Sequence, residues 1–372
     1  MNPFLINNYI SPEYFCDRED ETAYLIKNIN NQTNTALFAQ RRIGKSALIK
    51  QVFHLQSDEY NCIYIDLFPS INLKDFTDLL ANSIYQAYQK KKKGQLFLEK
   101  IKLLRPIISM NELTGNLEVT LDITRNQSIE RTVPQLLTYL DQQDTKFVIA
   151  LDEFQQILSY PEKNVEAIIR TSIQSLKNVQ FIFCGSHQHL MNEIFNNSKR
   201  PFYASCSNMS LQKIEASKYI TFCKYQFNKK KTVIEESAIE YVLDCTNSHT
   251  YFVQKIFHEL YASKSKKIGI DEAHQVIQQI LLESEMIFYQ YRSLLTTSQW
   301  ELLIGIAIEE KVDKPYSKEF MKKHGFTASG IKRTLNSLVE KGMVFYHSGE
   351  KEPYFEVQDK LLGLWLKYRY QI

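Results

Sequence analysis

Short apolar runs with little polar alternation mark the first half of the chain. They are rich in Ile, Val, Phe and Tyr and cover Thr35 to Ala39, Cys62 to Leu67, Phe147 to Leu151 and Phe181 to Cys184. Strands that are covered on both faces have this pattern, since neither side has to face water. Helical patterns lie between the runs, as at Lys45 to His54 and Phe76 to Lys90. This alternation predicts an α/β fold with a mostly parallel sheet.

A different pattern separates the second run from the third. The strand-like stretches Ile107 to Met110 and Leu117 to Ile123 flank the turn sequence Leu113-Thr114-Gly115-Asn116. Two such stretches around a glycine-containing turn predict a β-hairpin, which we interpret as an insertion into the core at about residues 105–125. The basic run Lys90 to Lys93 just before it favours a solvated helix end, with nucleic-acid contact as the alternative.

Helical patterns dominate from about Leu211 onward. They cover Lys213 to Phe227, Glu235 to Cys245, Tyr251 to Ser263, Asp271 to Tyr291 and Ser298 to Glu309. We therefore predict an α/β core at residues 1–210, a helical lid subdomain at 211–290 and a third domain at 291–372.

The third domain has the pattern of a winged helix. Two helical stretches within residues 318–341 surround a turn at Gly325, and two short strand patterns follow at 343–346 and 354–357. In the second helical stretch, one face carries the apolar residues Ile331, Leu335, Leu338 and Val339. Its opposite face carries side chains that suit phosphate and base contacts, namely Ser329, Lys332, Arg333 and Asn336. Because Glu350 and Glu352 lie in the wing, a protein-interaction module or regulatory lid is an equal alternative to DNA binding.

Composition narrows the class of protein. The 372 residues are 44% hydrophobic and 23% charged, which is typical of a globular chain of more than one domain. A net charge of +3 is too small to indicate nucleic-acid binding from the overall charge of the chain. The six cysteines include no Cys-x-x-Cys pair, so neither a zinc site nor a disulfide framework is indicated. With no signal-peptide pattern and no apolar run near the roughly 20 residues of a membrane span, we expect a cytoplasmic protein without a membrane partner.

The sequence Gly44-Lys45-Ser46 follows the first strand and precedes a helix, which is the context of a phosphate-binding loop. Backbone N–H groups can enclose a β-phosphate, the Lys45 ammonium can bridge two phosphates, and the Ser46 hydroxyl can bind Mg²⁺. The predicted nucleotide-binding segment is Gln40, Arg41, Arg42, Ile43, Gly44, Lys45, Ser46 and Ala47. Ala39 stands where this motif has its first glycine, so a strand–turn–helix with a basic turn is the alternative.

Two further strand ends carry polar residues. The third run ends in Asp152-Glu153, where Asp152 can hold Mg²⁺ through water and Glu153 can polarise the attacking water. A helix cap is the alternative for this acidic pair. The fourth run ends in Gly185-Ser186, and Ser186 can orient the same water or only terminate the strand. Together with the phosphate loop, these residues predict an ATPase site with Ser46 and Asp152 as Mg²⁺ ligands.

These segments resemble AAA+-like ATPases of the STAND type, in particular the archaeal-type ATPase family that is also common in bacteria. The loop Gln40 to Ser46 is similar to that family's Arg-Arg-hydrophobic-Gly-Lys-Ser/Thr form, and Leu151 to Gln155 is similar to its Walker B element. Tyr14 to Glu19 resembles its amino-terminal Phe-x-x-Arg-Glu segment, which implies that Phe15 and Arg18 lie near the adenine. The resemblance implies a P-loop NTPase core with a lid and a winged helix, and ATP or ADP with Mg²⁺ as cofactors.

Departures from the family pattern indicate that ATP hydrolysis is slow. Ala204-Ser205 stands where the family often has Gly-Arg, and Arg200 is only a weak substitute for the missing arginine. In the lid stretch, Ser248 and Thr250 replace the usual Gly and Pro. His249 in this stretch can reach the β-phosphate, or it is an ordinary helix-start histidine.

From these features we predict a slow ATPase that acts as a nucleotide-dependent conformational switch on a protein or DNA partner. The competing hypothesis is a winged-helix DNA-binding regulator that uses nucleotide for assembly with little hydrolysis. A scaffold with permanently bound ADP is a third. The sequence is equally compatible with a homo-oligomer or a separate protein partner.

Overall fold

The computed structural model describes residues 1–6, 9–90, 94–112, 114–122, 126–347 and 352–371. Internal contacts divide the chain into two compact units. The sheet unit comprises Asn8–Gln212, and the helical unit comprises Met1–Asn7 together with Lys213–Ile372. Each unit is described separately below.

Where the structure describes the sheet unit, seven strands are present: β1 (Thr35–Ala39), β2 (Tyr60–Asp66), β3 (Pro106–Met110), β4 (Leu117–Leu121), β5 (Lys146–Asp152), β6 (Val179–Gly185) and β7 (Ser207–Leu211). Five of them form a sheet in the order β2-β5-β6-β1-β7, and every neighbouring pair is parallel. The predicted α/β fold with a parallel sheet is therefore confirmed. β1 and β6 are buried along their whole length, as their continuous apolar sequences require.

The described part of the sheet unit contains seven α-helices: α1 (Glu19–Asn30), α2 (Lys45–Gln56), α3 (Leu73–Lys90), α4 (Gly94–Lys100), α5 (Asn126–Asp141), α6 (Val165–Ile173) and α7 (Gln188–Asn196). The helices cover both faces of the sheet. Successive side chains of a strand point to opposite faces, so neighbouring strand residues pack against different helices. Leu37 packs in one core cluster with residues of α1 and α2. Phe38 packs in the other cluster with residues of α3, α5, α6 and α7. The result is a three-layer α/β/α arrangement.

The hairpin insertion pairs β3 with β4 in antiparallel register, with Ile108 opposite Val119. Val119 and Leu121 are buried against the core. Two side chains of α3 hold β4 in place, since Asn82 Oδ1 accepts from the N–H of Val119 at 3.1 Å and Asp78 Oδ1 from that of Leu121 at 2.9 Å. Parts of the predicted segments lie outside the described residues, namely Lys91 to Lys93, Leu113 and Ile123.

Among its described residues, the helical unit contains eight α-helices and four short strands. They are α8 (Ala216–Lys229), β8 (Val233–Ile234), α9 (Glu236–Thr246), α10 (Thr250–Ala262), β9 (Lys267–Ile268), α11 (Ile270–Leu294), α12 (Thr297–Glu309), α13 (Lys318–His324), α14 (Ala328–Glu340), β10 (Val344–His347), β11 (Tyr354–Val357) and α15 (Lys360–Tyr370). The amino-terminal segment also packs here. Phe4 is buried with its ring 5.8, 5.5 and 5.4 Å from those of Phe222, Phe227 and Phe257.

Residues from α12 to α15 form the predicted winged helix. β10 and β11 pair in antiparallel fashion to form the wing. On α14, Ile331, Leu335 and Leu338 are fully buried, whereas the prediction that Val339 is buried is wrong, because its side chain is 38% exposed. At about 100° per residue, Val339 lies about 80° around the helix from Ile331, at the border of the apolar stripe. Glu350 lies outside the described residues.

No helix in the described part of the chain is both long and apolar enough to cross a lipid bilayer.

Candidate nucleotide site

The loop between β1 and α2 lies at the carboxyl edge of the parallel sheet. Arg42 and Gly44 have positive φ angles of 62° and 101°, and Ile43 between them is buried. Such a backbone turns successive N–H groups toward one point and forms a concave anion site. Gly44 is the N-cap of α2, so the positive end of the helix dipole lies at the same place.

Ala39 replaces a glycine of the motif, and the structure shows where its methyl group goes. Ala39 still pairs with Leu211 of β7 and is fully buried. It packs in the same core cluster as Ile43 and Leu48. The methyl group is thus part of the core beneath the loop, where alanine is well accommodated.

Lys45 and Ser46 meet the acidic end of β5. Lys45 Nζ lies 2.5 Å from Asp152 Oδ1 and 3.2 Å from Glu153 Oε1. The Ser46 hydroxyl donates a hydrogen bond of 3.0 Å to Asp152 Oδ2. Lys45 and Asp152 are only 7% and 4% exposed. The predicted residues from two distant parts of the sequence are therefore in direct contact.

The charges at this site shift two pKa values. Burial would raise the pKa of Glu153, but the Lys45 charge and hydrogen bonds from Gln155 and Ser186 outweigh it and lower that pKa to about 2. Burial would lower the pKa of Lys45, but its anionic neighbours, among them Asp152 and Glu153, raise it above the ordinary value. Both groups are therefore ionised at neutral pH.

The end of β6 holds Glu153 from the other side. The Ser186 hydroxyl donates to Glu153 Oε2 at 2.8 Å, and the Ser186 N–H lies 3.2 Å from the same oxygen. Gln155 Nε2 donates to it as well, at 2.6 Å. Gly185 makes this approach feasible, because a Cβ at that position would lie 2.1 Å from Gln155 Oε1.

Two of the side chains outside the predicted set that reach this site hydrogen-bond its carboxylates. One is Gln155, which lies two residues beyond Glu153 in a short 3₁₀ turn. The other is Tyr64 of β2, whose hydroxyl contacts Asp152. Gln155 was within the motif that the sequence highlighted, whereas Tyr64 becomes visible only once β2 is known to lie beside β5.

The amino-terminal residues expected near the adenine have other contacts in the structure. Phe15 packs edge-on against Tyr9, with ring centroids 5.8 Å apart. The buried Arg18 guanidinium donates to Glu21 Oε1 and to the carbonyl oxygen of Gln212, each at 2.6 Å. These contacts give Arg18 a role in fixing the start of α1, and its position near a nucleotide stays a prediction.

Arg200 is engaged elsewhere in the sheet unit. Its guanidinium lies 2.9 Å from Glu166 Oε1 and 2.6 Å from Glu193 Oε1. Its charge is therefore balanced by two carboxylates, in line with its description as a weak substitute for the missing arginine.

The remaining predicted residues lie in the helical unit. His249 is the buried N-cap residue of α10, with its ring 5.0 Å from that of Phe252. Lys332, Arg333 and Asn336 are exposed on α14, and the side chain of Ser329 lies outside the described part. Their ligand contacts remain predictions.

The oxygen ligands that Ser46 and Asp152 offer suit a Mg²⁺ ion that is bound together with a nucleotide. They suit less well a metal ion that is held by protein side chains alone. Within the described residues, no group of three or more His, Cys, Asp or Glu side chains is placed to hold a metal ion. Ser46 and Asp152 offer only hydroxyl and carboxylate oxygens, and Mg²⁺ is usually bound by one or two such groups plus phosphates and waters. Gln40 also fits a ligand, because its Nε2 is buried and has no hydrogen-bond partner among the described residues.

Comparison with known proteins agrees with this geometry. The family described as "ATPase domain predominantly from Archaea" matches residues 15–256, which is more than half of the chain. The chain belongs to this archaeal-type ATPase family. A "probable winged helix domain" matches residues 286–368. The resemblance to the archaeal-type ATPase family with a carboxyl-terminal winged helix is thereby confirmed. No curated protein matched the chain in sequence.

Solved structures of low sequence identity share the fold. A Walker-type ATPase of Pyrococcus abyssi has 17% identity and a TM-score of 0.67, covering 98% of this chain and 99% of its own. The ORC2 protein of Aeropyrum pernix, solved in ADPNP–ADP complexes, has 12% identity and a TM-score of 0.55, covering 100% and 98%. The ORC1 protein of the same organism, solved in complex with DNA, has 13% identity and a TM-score of 0.53, covering 100% and 97%.

Proposed function

We propose that this chain binds ATP with Mg²⁺ and hydrolyses it slowly as a nucleotide-dependent conformational switch. The observation that carries the proposal is the contact of Lys45 and Ser46 with Asp152 and Glu153 at one edge of the sheet. In parallel α/β sheets, ligands bind at the carboxyl ends of the strands, which is where all four residues lie.

Each residue has a role that follows from its chemistry. The loop N–H groups and the Lys45 ammonium bind the phosphates. Ser46 and Asp152 would hold Mg²⁺, which when bound supplies charge neutralisation on the phosphate oxygens. Glu153 is ionised and can accept a hydrogen bond from the attacking water.

Slow turnover is supported by the way Glu153 is held. Lys45 engages one carboxylate oxygen, and Ser186 with Gln155 engages the other. A general base works best when its pKa lies near the working pH, and a carboxylate with a pKa of about 2 is a weak base. Both oxygens of the Glu153 carboxylate therefore already accept hydrogen bonds from the protein, and these donors compete with a water molecule for the same group. We infer that a conformational step limits hydrolysis.

Two variants test the proposal in ATP-binding and phosphate-release assays. Lys45→Ala should abolish ATP binding, whereas Lys27→Ala, an exposed lysine of α1, should leave it unchanged. Glu153→Gln should keep ATP binding and lower turnover by about 10²–10⁴-fold, the usual contribution of a general base. Unchanged ATP affinity in Lys45→Ala would refute the site, and unchanged turnover in Glu153→Gln would refute the base.

A winged-helix DNA-binding regulator is the second candidate. Lys332 and Arg333 are exposed side by side on α14, and the ORC1 structure that shares this fold was solved with DNA. Lys332→Glu/Arg333→Glu should abolish salt-dependent binding to duplex DNA, since each phosphate contact adds about one to the salt slope. Lys264→Glu/Lys266→Glu makes the same charge change at exposed positions before β9 and should not. Absence of wild-type binding at low salt would eliminate this candidate.

A further inference from the structure

A tyrosine of β2 contacts both residues that are expected to hold Mg²⁺. The Tyr64 hydroxyl donates a short hydrogen bond to Asp152 Oδ2 and lies 3.2 Å from Ser46 Oγ. β2 is the neighbour of β5, and Tyr64 pairs with Ala150, two residues before Asp152. The strand pairing therefore brings this hydroxyl to the acidic strand end.

The Asp152 carboxylate is fixed on both oxygens. Oδ2 accepts hydrogen bonds from the hydroxyls of Ser46 and Tyr64. Oδ1 accepts from the N–H of Glu153 at 2.9 Å and pairs with Lys45 at 2.5 Å. A carboxylate has about four lone-pair positions, so these contacts define a single orientation of the group. Of these four donors, Tyr64 comes from neither motif.

The other tyrosine of this strand shows that the contact is specific. Tyr60 and Tyr64 are four residues apart, so their side chains leave the same face of β2. The Tyr60 hydroxyl donates to Asn30 Oδ1 at 3.2 Å, away from the acidic residues. Packing alone explains both aromatic rings, which belong to the same core cluster. It does not explain why one hydroxyl meets Asp152 and Ser46.

We propose that Tyr64 is a positioning residue of the Mg²⁺ site, which sets the orientation of Asp152 relative to Ser46. Mg²⁺ demands nearly ideal octahedral geometry, so the direction of a carboxylate affects its affinity. Residues that orient metal ligands through hydrogen bonds typically change metal affinity by about 10–100-fold. The phenolic O–H of Tyr64 supplies the donor that Asp152 Oδ2 accepts. The proposal rests on the proposed function.

The test uses Tyr64→Phe with Tyr60→Phe as the matched control. ATP affinity of the full chain is measured over a series of Mg²⁺ concentrations, with EDTA as the metal-free point. Tyr64→Phe should raise the Mg²⁺ midpoint by about tenfold and leave the metal-free ATP affinity unchanged. Tyr60→Phe should change neither quantity. An unchanged midpoint, or an equal loss of affinity in EDTA, overturns the proposal.

A double variant tests the route of the effect and separates it from a general loss of stability. If Tyr64 acts through Asp152, then Tyr64→Phe should shift the Mg²⁺ midpoint no further in the Asp152→Asn background. A full additional shift in the double variant contradicts the proposal. Failure of the proposed function looks different, because the wild-type chain itself would then bind no ATP at any Mg²⁺ concentration.

Discussion

At the scale of single residues, Glu153 is constrained in both its backbone and its side chain. Its backbone has a φ of 52°, in the left-handed region that costs a non-glycine residue about 1–3 kcal/mol. Its carboxylate is held by Lys45, Gln155 and Ser186. A residue keeps such a conformation only when its surroundings determine it. The contacts that hold Glu153 therefore control how readily it can meet a water molecule.

Gln155→Leu should accelerate hydrolysis. The change removes the 2.6 Å hydrogen bond to Glu153 Oε2 and keeps the side chain at a similar size. Because that hydrogen bond lowers the pKa of Glu153, its loss should raise the pKa from about 2 toward the ordinary value near 4.3. A base acts above its pKa, so the acidic limb of the kcat–pH profile should move to higher pH. We expect kcat at neutral pH to rise a few-fold, with ATP affinity unchanged.

Gln156→Leu is the matched control for this prediction. The Gln156 side-chain amide donates to the Ser70 carbonyl oxygen at 3.1 Å, and in the described structure it makes no hydrogen bond to the Glu153 carboxylate. Its replacement should leave the acidic limb where it is. If Gln155→Leu also left kcat and the acidic limb of the kcat–pH profile unchanged, Gln155 would have no part in holding the Glu153 carboxylate.

At the scale of elements, the strands that the sequence predicted are those with continuous apolar runs. β1, β2, β5 and β6 all coincide with such runs. β7 was missed because it alternates, with only Met209 and Leu211 buried. An edge strand with one covered face gives a period of two and no continuous run. The alternating pattern of β7 is visible in the sequence, but it covers only five residues, and polar residues alternate with the two buried ones.

The same distinction applies to the site. Lys45, Asp152 and Glu153 were predicted because each sits in a local motif. Tyr64 and its contact with Asp152 depend on β2 lying next to β5, and strand order is a property of the assembled sheet. Motifs therefore predicted the residues that are proposed to perform the chemistry, whereas Tyr64, which is proposed to orient Asp152, could be found only from the fold.

Gly185→Ala should destabilise the sheet unit and disturb the site. A Cβ there would lie 2.1 Å from Gln155 Oε1 and 2.7 Å from Met191 Sδ, so α7 or the Gln155 side chain has to move. Overpacking of this kind typically costs about 1–3 kcal/mol in the free energy of unfolding, measured by denaturant titration. Turnover should change as well, because Gln155 is displaced from Glu153.

Gly363→Ala is the contrasting control. The nearest atom to its added Cβ is Val357 Cβ at 3.4 Å, an ordinary contact, and Gly363 lies inside α15. Alanine is favoured over glycine within a helix by about 0.5–1 kcal/mol. We expect stability to rise or stay constant here. A loss at Gly363 equal to that at Gly185 would show that neither effect comes from crowding.

At the scale of the whole molecule, a buried carboxylate ties together three parts of the helical unit. Glu356 of β11 pairs with His347 of β10 and with Lys360 of α15, each at 2.6 Å. It also accepts a hydrogen bond of 2.8 Å from Asn247, which ends α9. These contacts join the wing and the last helix to the helices that precede the winged helix, beside a cavity of about 530 Å³.

Glu356→Gln should destabilise the helical unit. It should also make the free energy of unfolding depend less strongly on pH in the acidic range. Burial would raise the pKa of Glu356, but His347 and Lys360 outweigh it and hold the pKa well below its usual range. A carboxylate whose folded pKa is depressed stabilises the fold above its unfolded value, about 4.3, and this contribution is lost as pH falls through the folded pKa. Removing one partner of a buried ion pair costs about 3–5 kcal/mol. Urea titrations at pH 7 and pH 3 should show the loss at pH 7 and a smaller one at pH 3.

The switch hypothesis predicts that the helical unit responds to nucleotide bound in the sheet unit. Trp300 and Trp365 are the two tryptophans of the chain, and both are buried in the winged-helix region. Their rings lie 6.4 Å apart, and Trp365 also packs 5.4 Å from Phe288 of α11. Intrinsic tryptophan emission therefore reports on the helical unit alone, although Lys45 and Glu153 lie in the sheet unit.

ATP should change this emission in the Glu153→Gln variant, which is expected to bind nucleotide without hydrolysing it, and ADP should give a different end state. Lys45→Ala should show no response to either nucleotide. A ligand shifts a conformational equilibrium only by its difference in affinity for the two states, so the response should saturate with the ATP affinity measured separately. If ATP binds to Glu153→Gln and the tryptophan emission stays constant, the nucleotide does not act on the helical unit. The chain would then hold its nucleotide as a fixed part of the structure.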